Sequence, residues 1–543
     1  MLDAIASPPE PVNEPILGYA PFSPERAALK AELSRLSGAP ADIPMFIGGE
    51  EIRTGDLQEV RAPHRHDLLL ARAHQGGPEH VARAIEAARR AHPAWASLPW
   101  TARAAVFLKA AELLATRLRP TLNAATMLGQ SKTAYQAEID SACELIDFLR
   151  FNVHYARQIA AEQPSSARGT WNLSEPRPLE GFVFASTPFN FTAIAGNLPT
   201  APALMGNTVV WKPSANALLS AHFVMELLRE SGLPDGVINL VMGPPEAVAN
   251  ACIDHEDFAG LHFTGSTSVF QALWRRVGEN IGRYRSYPRI VGETGGKDFV
   301  FAHRSADVEA LAVALVRGAY EYQGQKCSAA SRAYIPRSIW PALKDRLTSL
   351  IGAIRVGDVA DFRNFMGAVI DGRTHARIAG RIAAAKADPA CTLLAGGGTP
   401  SESGWFISPT LIEVSDPRHG LMCDELFGPV LALWVYPDAD EEAALRLCGE
   451  TSPYGLTGAI FAQDRRFLEH AMAALRFAAG NLYLNDKPTG AVVGQQPFGG
   501  GRASGTNDKA GSALNLLRWV SPRVVKETFA PSREVGYPFM LAE

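Results

Sequence analysis

The chain is predicted to have an α/β fold in which helices cover parallel sheets. Short apolar strands alternate with helical segments from residue 181 to residue 292, and the alternation begins again near residue 293 and continues to residue 484. This pattern is typical of βαβ units, whose crossover helices lie on both faces of a parallel sheet. At 543 residues the chain has room for two or three domains, because a single core stops growing well below that length.

The composition excludes several classes of protein. Hydrophobic residues make up 47% and charged residues 20%, and a net charge of −4 gives no basic surface for nucleic acid or an anionic membrane. No apolar run is long enough for a membrane span, and the N-terminus lacks the pattern of a signal peptide. The six cysteines include no Cys-x-x-Cys pair, so no metal site or disulfide framework is expected. These features predict a cytoplasmic protein with reduced thiols.

The N-terminal third is predicted to be an arm followed by helices. Six prolines between residues 1 and 25 indicate an extended arm, which either wraps over the body or hangs free. The predicted elements that follow are a helix from Pro24 to Leu36, a turn at 47–51 between two strands, and helices at 79–91, at 101–118 with Thr101 as N-cap, and at 121–161 with a break near Gly129.

Two further features of this region are interpreted from polarity. Glu138, Asp140 and Asp147 alternate with apolar residues, which indicates a solvated acidic face on the long helix. Residues 163–180 are polar and contain proline, which suits a short two-stranded excursion.

The region from residue 181 contains the alternating elements, and the chain ends in an irregular tail. The predicted strands are 181–186, 208–212, 237–242, 261–264, 298–302 and 331–335, and the predicted helices are 191–205, 215–231, 245–252, 266–281, 306–322 and 340–354. The tail at 522–543 lacks helical periodicity and is predicted to be an edge strand that pairs with another subunit.

The stretch from Val291 to Ser328 carries the strongest chemical signal. Glu293 lies among glycines and a threonine, where the bare backbone leaves its carboxylate accessible. Cys327 follows Lys326, a cation that would favour the nucleophilic thiolate. Each residue alone has a plain alternative, since free cysteines are often buried and inert and a loop carboxylate often caps a turn.

Five other motifs lie at strand ends or in glycine-rich loops, where α/β proteins bind ligands. Asn190 offers a neutral amide donor suited to an oxyanion, and Gly265-Ser266 begins a helix whose N-terminus suits a phosphate. Lys212 and Glu425 are suited to ribose hydroxyls, and the backbone of 496–501 to a carboxylate. Taken singly, each motif is equally consistent with an ordinary turn or helix cap.

Together these motifs resemble the aldehyde dehydrogenase superfamily in identity and order. The resemblance covers about residues 45–525 and rests on Ser-Thr-Pro-Phe-Asn-Phe, Trp-Lys-Pro-Ser, Phe-Thr-Gly-Ser-Thr, Glu-Thr-Gly-Gly-Lys-Asp, Gly-Gln-Lys-Cys-Ser, Glu-Leu-Phe-Gly-Pro and Gln-Pro-Phe-Gly-Gly. The sequences 489–491, 493–498 and 504–507 are most similar to the members that oxidise L-glutamate γ-semialdehyde to L-glutamate, the second step of proline catabolism.

The resemblance implies a role for each site residue. Cys327 would be the nucleophile, Glu293 the general base and Asn190 an oxyanion donor. NAD would be bound by Thr187, Lys212, Gly265, Ser266, Thr267, Ser268, Val269, Glu425 and Phe427. The substrate would be bound by Ser328, Gly490, Ala491, Phe191, Phe498, Glu144 and Lys326, with Glu144 near the α-amino group.

The resemblance also implies a domain organisation. The expected fold is a Rossmann-type NAD-binding domain at 45–162 and 181–292, a catalytic α/β domain at 293–509, an N-terminal arm at 1–44, and a small β flap of oligomerisation strands at 163–180 and 510–543. A homodimer or higher homo-oligomer is expected, with proline dehydrogenase as a transient partner, because the chain is too short to hold a second catalytic barrel of ~250 residues.

Two departures and two rival functions accompany this interpretation. Many members carry Glu where this chain has Ala215, so discrimination against NADP rests on other groups, and Ala491 lacks a hydroxyl for the substrate. The rivals are a dehydrogenase for another semialdehyde or ω-amino aldehyde, and a catalytically silent binding protein on the same fold.

Overall fold

The computed structural model describes residues 6–543, so the first five residues of the predicted arm lie outside the described part. The α/β prediction is confirmed. A first seven-stranded sheet has five parallel strands followed by an antiparallel pair. In spatial order its strands are Arg289–Glu293, Phe258–Thr264, Phe182–Ser186, Thr208–Lys212, Ile238–Leu240, Met45–Ile47 and Glu50–Ile52.

Helices cover both faces of the first sheet and enclose two hydrophobic cores. They are Pro78–Ser97, Trp100–Ala115, Arg119–Gln130, Ala134–Ala137, Glu144–Ala161, Thr192–Leu204, Leu218–Glu230, Pro245–Ile253 and Thr267–Glu279, with a π-helical turn at Glu138–Cys143 and a 3₁₀ turn at Ala215–Ala217. Beside them a small sheet joins Ala41–Ile43, Arg65–His74 and Leu57–Ala62. The crossover helices and the parallel pairing are what the strand–helix alternation predicts.

A second seven-stranded sheet with its own pair of cores follows. In spatial order its strands are Cys391–Ala395, Thr410–Val414, Val430–Tyr436, Ala330–Pro336, Asp298–Ala302, Thr457–Phe461 and Asn481–Leu484, with only the first pair antiparallel. Its helices are Val308–Tyr320, Trp340–Gly352, Gly372–Ala387, Gly420–Cys423, Glu441–Glu450 and Arg465–Ala474. A two-residue ladder pairs Tyr454–Gly455 with Gly501–Arg502.

A two-stranded ribbon extends from the body. Thr170–Pro178 pairs antiparallel with Val520–Thr528 over nine residue pairs. The tail strand therefore pairs within its own chain, and its predicted pairing with another subunit stays a prediction. Just before it, Ala513–Leu516 and Leu517–Trp519 form short helical turns, and Trp519 is fully buried in the first domain.

One local prediction in the helical region is wrong and another is confirmed. The helix predicted from Thr101 begins at Trp100, with Pro99 at the N-cap position. The predicted break near Gly129 is confirmed, since the helix ends at Gln130 and Ser131 has a left-handed φ of 58°.

The predicted solvated acidic face is also wrong, since Glu138, Asp140 and Asp147 are all buried. Glu138 pairs with Arg119, and Asp140 lies 2.5 Å from Lys132 Nζ. Sequence periodicity could not identify these partners, because Arg119 lies on the preceding helix and Lys132 lies in the break between the two helices.

The arm wraps over the body. Residues 6–23 form no helix or strand, and Pro24–Gly38 then forms a helix that buries Leu29, Leu33 and Leu36. The Ser23 hydroxyl accepts the Arg26 N–H and caps this helix. Within residues 6–543, every helix is too short or too polar to span a lipid bilayer.

The buried pair of Glu138 with Arg119 yields a stability prediction. Glu138→Ala should cost about 3–5 kcal/mol, because the buried Arg119 guanidinium loses one of its two carboxylates and the Tyr19 hydroxyl and Leu17 N–H lose their acceptor. Glu230→Ala is the matched control, since Glu230 pairs with Arg117 at the surface with 47% of its side chain exposed and should lose about 0–1 kcal/mol. Thermal unfolding followed by circular dichroism compares them, and equal melting temperatures would contradict the prediction.

Candidate active site

The parallel register of the first sheet brings the predicted nucleotide-binding residues to one edge. Ser186 is paired with Lys212 on one side and with Phe263 on the other, and Thr264 is paired with Glu293. The residues that follow these strands therefore emerge side by side at the carboxyl ends of the strands. That edge is where open parallel sheets bind ligands.

Lys212 and Thr187 are fixed at this edge. The Thr187 hydroxyl accepts the Trp211 Nε1–H at 3.0 Å, and the Thr187 N–H donates to the Lys212 carbonyl at 3.2 Å. The Lys212 side chain is buried, and its ammonium donates to the Pro213 carbonyl at 3.1 Å. Burial lowers the pKa of Lys212 to about 8. A hydrogen-bond acceptor bound beside this ammonium would meet a donor that water solvates poorly.

The next strand leads into the helix Thr267–Glu279. Ser266 is its N-cap residue with extended backbone, and its hydroxyl makes no capping bond, so both the hydroxyl and the helix N-terminus face outward. Ser268 and Val269 are exposed on the first turn, whereas the Thr267 hydroxyl accepts the Gly295 N–H at 3.3 Å. Gly265 is required, because a Cβ there would lie 2.6 Å from the ring of Phe263.

Glu425 reaches this edge from the second domain. Its carboxylate accepts the Gly296 N–H at 2.9 Å, and a Cβ on Gly295 would collide with it at 2.3 Å. Burial raises the pKa of Glu425 to about 7. Phe427, with a left-handed φ of 50°, packs edge-on against Phe189 at 5.9 Å. The structure thus brings the predicted nucleotide-binding residues of both domains to one region.

A strained loop presents Cys327. Tyr322, Gln323 and Gly324 have consecutive left-handed φ values of 51°, 56° and 64°. The Gln323 side chain donates to the carbonyls of Ser131 at 2.9 Å and Ala368 at 2.7 Å. Such backbone persists only where surrounding contacts over-determine it, and it is concentrated at functional sites.

The amides of Gln323 and Gln325 are site residues that sequence analysis missed. Gln325 Oε1 accepts the Ile370 N–H at 2.9 Å, and the Gln325 carbonyl accepts the Asn190 side-chain amide at 3.0 Å. Asn190 is buried, and this hydrogen bond ties its side chain to the backbone two residues before Cys327. Gln325 belongs to the Gly-Gln-Lys-Cys motif. No local sequence feature, however, distinguishes a glutamine that hydrogen-bonds a buried loop from a glutamine on the surface.

Cys327 is partly exposed, and its surroundings favour the neutral thiol. Burial raises the pKa of the Cys327 thiol well above its usual value, and the carboxylates of Asp298 and Glu293 raise it further. The expectation that Lys326 favours the thiolate is not met. Its ammonium lies 3.4 Å from Asp140 and 3.9 Å from Glu321, so its charge is already compensated.

Glu293 is close enough to Cys327 for its charge to act on the thiol. Its Oε2 accepts the Gly500 N–H at 3.4 Å, whereas its buried Oε1 has no hydrogen-bond partner within residues 6–543. Burial raises the pKa of Glu293 well above the usual range. Such a carboxylate holds a proton more readily than an exposed one.

A cavity of about 850 Å³ opens at the thiol. It is lined by every predicted substrate residue, namely Glu144, Phe191, Lys326, Ser328, Gly490, Ala491 and Phe498, together with Cys327. Asn190 and Glu293 are not among its lining residues.

Several of the lining residues have defined partners. The Ser328 hydroxyl is hydrogen-bonded to the Thr489 hydroxyl at 2.8 Å. Gly490 has a φ of 99°, a conformation that favours glycine. The Phe191 ring lies 4.3 Å below Lys132 Nζ. Lys132 is fully buried behind this ring and was not found from the sequence, because its only local context is an ordinary helix end.

A separate cluster of Asp388, Cys391 and His419 lies in the second domain. His419 Nδ1 accepts the Leu421 N–H at 3.1 Å, and Nε2 lies 3.2 Å from Asp388. A neutral imidazole with its proton on Nε2 satisfies both contacts, so hydrogen bonding accounts for this cluster. The expected absence of a metal stays a prediction.

The fold and site together define an α/β protein in which a thiol lines a large cavity and a nucleotide-type sheet edge gathers the predicted binding groups of both domains. The family model described as "Aldehyde dehydrogenase family" matches residues 52–525. The chain belongs to the aldehyde dehydrogenase family.

Individual relatives are similar over nearly the whole chain. A mitochondrial delta-1-pyrroline-5-carboxylate dehydrogenase of Dictyostelium discoideum is 51% identical over 99% of this chain and 97% of its own length. The delta-pyrroline-5-carboxylate dehydrogenase of Mycobacterium tuberculosis, solved with NAD, is 53% identical with a TM-score of 0.97 and full coverage of both chains. Proline utilization A of Bdellovibrio bacteriovorus is 29% identical with a TM-score of 0.92, covering 97% of this chain and 55% of that one.

The carboxylates around Cys327 yield a prediction about thiol reactivity. Glu293→Gln should speed alkylation of Cys327 by iodoacetamide by about 3- to 10-fold at pH 8, because it removes roughly 1 kcal/mol of like-charge repulsion from the thiolate. The difference should shrink as the pH falls, since Glu293 then becomes neutral in the parent protein. Mass spectrometry of the digested protein measures the rate, and the partly exposed Cys423 serves as internal control. Equal rates across pH 6–9 would contradict the prediction.

Proposed function

We propose that this protein oxidises L-glutamate γ-semialdehyde, which is in equilibrium with 1-pyrroline-5-carboxylate, to L-glutamate with NAD, the second step of proline catabolism. The observation that carries the proposal is the cavity itself. A nucleophilic thiol lies on its wall, and the loop at Gly490 and Ala491 lies on the same cavity with bare backbone suited to an α-carboxylate.

The chemistry begins at the sulfur. The Cys327 thiol gives its proton to solvent, and the thiolate attacks the aldehyde carbon, so that a C–S bond forms and the carbonyl oxygen becomes an oxyanion. The Asn190 amide and the Cys327 backbone N–H donate to that oxyanion, and one such donor is worth about 3 kcal/mol. NAD held by the residues at the sheet edge would supply the hydride acceptor for this carbon, and oxidation of the carbon leaves a thioester on Cys327.

Hydrolysis completes the cycle. Glu293 takes a proton from a water molecule, the hydroxide attacks the thioester, and the thiolate leaves as the carboxylate product forms. The raised pKa of Glu293 suits this role, because a carboxylate of raised pKa is a stronger base than an ordinary one.

The residues at the sheet edge fit NAD. Lys212 and Glu425 offer a buried cation and carboxylate for ribose hydroxyls. Ser266 presents a free hydroxyl and a helix N-terminus to the pyrophosphate, with Gly265, Thr267, Ser268 and Val269 around it. Thr187 and Phe427 complete the set from the two domains.

The cavity also offers a carboxylate, Glu144, suited to the ammonium group of the substrate. Glu144 forms no ion pair within residues 6–543, and burial raises its pKa well above the usual range. A substrate ammonium beside it would supply the missing partner. Ser328 and the backbone at Gly490 and Ala491 would receive the α-carboxylate, and Phe191 and Phe498 would flank the aliphatic chain.

The same proposal assigns the larger units. The first sheet with its helices (45–162 and 181–292) binds NAD, residues 293–509 form the catalytic domain, and the ribbon segments at 163–180 and 510–543 serve a homodimer or higher oligomer. Proline dehydrogenase is a candidate partner, which the likeness to proline utilization A supports. A cytoplasmic location stays a proposal, since the name of the Dictyostelium relative includes "mitochondrial".

The substrate assignment is tested with a panel of aldehydes. We expect kcat/KM for L-glutamate γ-semialdehyde to exceed that for hexanal and succinic semialdehyde by 10-fold or more, because only the first offers both an α-carboxylate and an α-ammonium. NADH absorbance measures the rates. Equal values would favour the rival semialdehyde dehydrogenase, and no NADH with any aldehyde would favour the silent binding protein.

The two catalytic groups are tested by matched variants. Cys327→Ala should abolish turnover with NAD binding retained, because no covalent intermediate forms. Glu293→Ala should lower turnover about 100-fold or more and accumulate a thioester of substrate mass on Cys327, since acylation outpaces hydrolysis. Intact-protein mass spectrometry and calorimetric titration with NAD follow both, and undiminished turnover of either variant would contradict its role.

A further inference from the structure

The N-terminal arm lines the same cavity as the thiol. Six residues of the arm and its helix contribute to the wall, namely Asn13, Glu14, Ile16, Gly18, Tyr19 and Arg26. They lie on the cavity together with Glu144 and the loop at 490–496, so the end away from the sheet edge is built by a segment with no regular structure.

Buried carboxylates hold the arm in place. The Leu17 N–H and the Tyr19 hydroxyl donate to Glu138 at 2.8 and 2.6 Å, and the Glu14 N–H donates to Asp147 at 2.7 Å. Charge-assisted bonds of this kind are stronger than neutral ones. The arm is therefore a fixed wall in this structure.

The charge of Glu14 is already satisfied. Its carboxylate lies 2.5 Å from Arg119 and 2.7 Å from Arg150. Glu14 therefore does not compete with Glu144 for a substrate ammonium, and residues 13–19 contribute shape and position to the cavity with their one charge already paired.

Asn13 joins the arm to the substrate loop. Its Nδ2 donates to the Val493 carbonyl and to Asp147, each at 2.8 Å, and its Oδ1 accepts the Gln495 amide at 2.9 Å. One side chain thus fixes the loop that follows Gly490 and Ala491 to the helix that carries Glu144. The two groups expected to hold the α-carboxylate and the α-ammonium are set relative to each other through Asn13.

We propose that residues 13–19 are a specificity-determining wall of the substrate cavity and that Asn13 is a positioning residue for the loop at 490–496. This inference rests on the proposed function for its substrate. The wall limits the length of aldehyde that reaches Cys327, and Asn13 sets the spacing at which the carboxylate and ammonium sites act together.

Asn13→Ala tests the positioning role, and the adjacent Val12→Ala is the control because Val12 is 71% exposed. We expect Asn13→Ala to raise the KM for L-glutamate γ-semialdehyde about 3- to 10-fold, the effect of losing one or two hydrogen bonds, with kcat within about 2-fold. The KM for NAD and the kcat/KM for hexanal should both stay unchanged in this variant. Val12→Ala should match the parent.

A second measurement does not depend on turnover. Alkylation of Cys327 by N-phenylmaleimide, a bulky reagent, should be several-fold faster in Asn13→Ala than in Val12→Ala if the arm closes the cavity. Unchanged alkylation and KM would overturn the proposal, as would a parallel rise in the KM for NAD, which indicates general loosening. If the parent protein does not turn over the semialdehyde, the proposed function fails, while the alkylation comparison still decides whether the arm is a wall.

Discussion

The site depends on one constraint, the left-handed backbone of residues 322–324, which ends three residues before the nucleophile. Tyr322 and Gln323 are not glycines, so each pays of order 1 kcal/mol or more for that conformation. The amide of Gln323 offsets the cost, because it donates to two carbonyls and accepts the Gly367 N–H at 3.0 Å. The Asn190 side chain, which follows a strand of the first sheet, donates to the Gln325 carbonyl in the same loop. The sulfur is thus positioned by contacts from both domains and not by its own strand or helix.

This arrangement places the sulfur among carboxylates with no uncompensated cation beside it. Lys132 and Lys326 both lie next to Asp140, which neutralises part of their charge, and burial lowers the pKa of Lys132 to about 8. The same surroundings raise the pKa of the Cys327 thiol, so they favour its neutral form. In the proposed reaction the nucleophile forms when this proton leaves, and Glu293 provides a buried carboxylate of raised pKa for the hydrolysis step.

The sequence was informative wherever the signal is local. The strand Asp298–Ala302 and the strand Thr208–Lys212 were predicted to the residue, because apolar runs bounded by turn residues define them. The order of the motifs indicated the family, and the register of the first sheet explains why residues 187, 212, 265 and 293 are neighbours. Long-range pairing was not predictable. Glu138 and Asp140 looked solvated because their partners lie on other segments, and the bracing amide of Gln323 has the same local signature as a surface glutamine.

The arm shows how an irregular segment can perform a task that a helix or strand cannot. A carboxylate buried without donors is strongly destabilised, and the backbone N–H groups of helices and sheets are already paired with carbonyls. The proline-rich arm forms no ladder, so its N–H groups at Glu14 and Leu17 are free to donate to Asp147 and Glu138. The same prolines limit the conformations of the unbound chain and reduce the entropy lost on docking. The buried carboxylates of Asp147 and Glu138 thus need donors that an irregular segment can supply, and the arm needs these acceptors to stay in place. Glu14 and Asp147, which make one of these contacts, also line the substrate cavity.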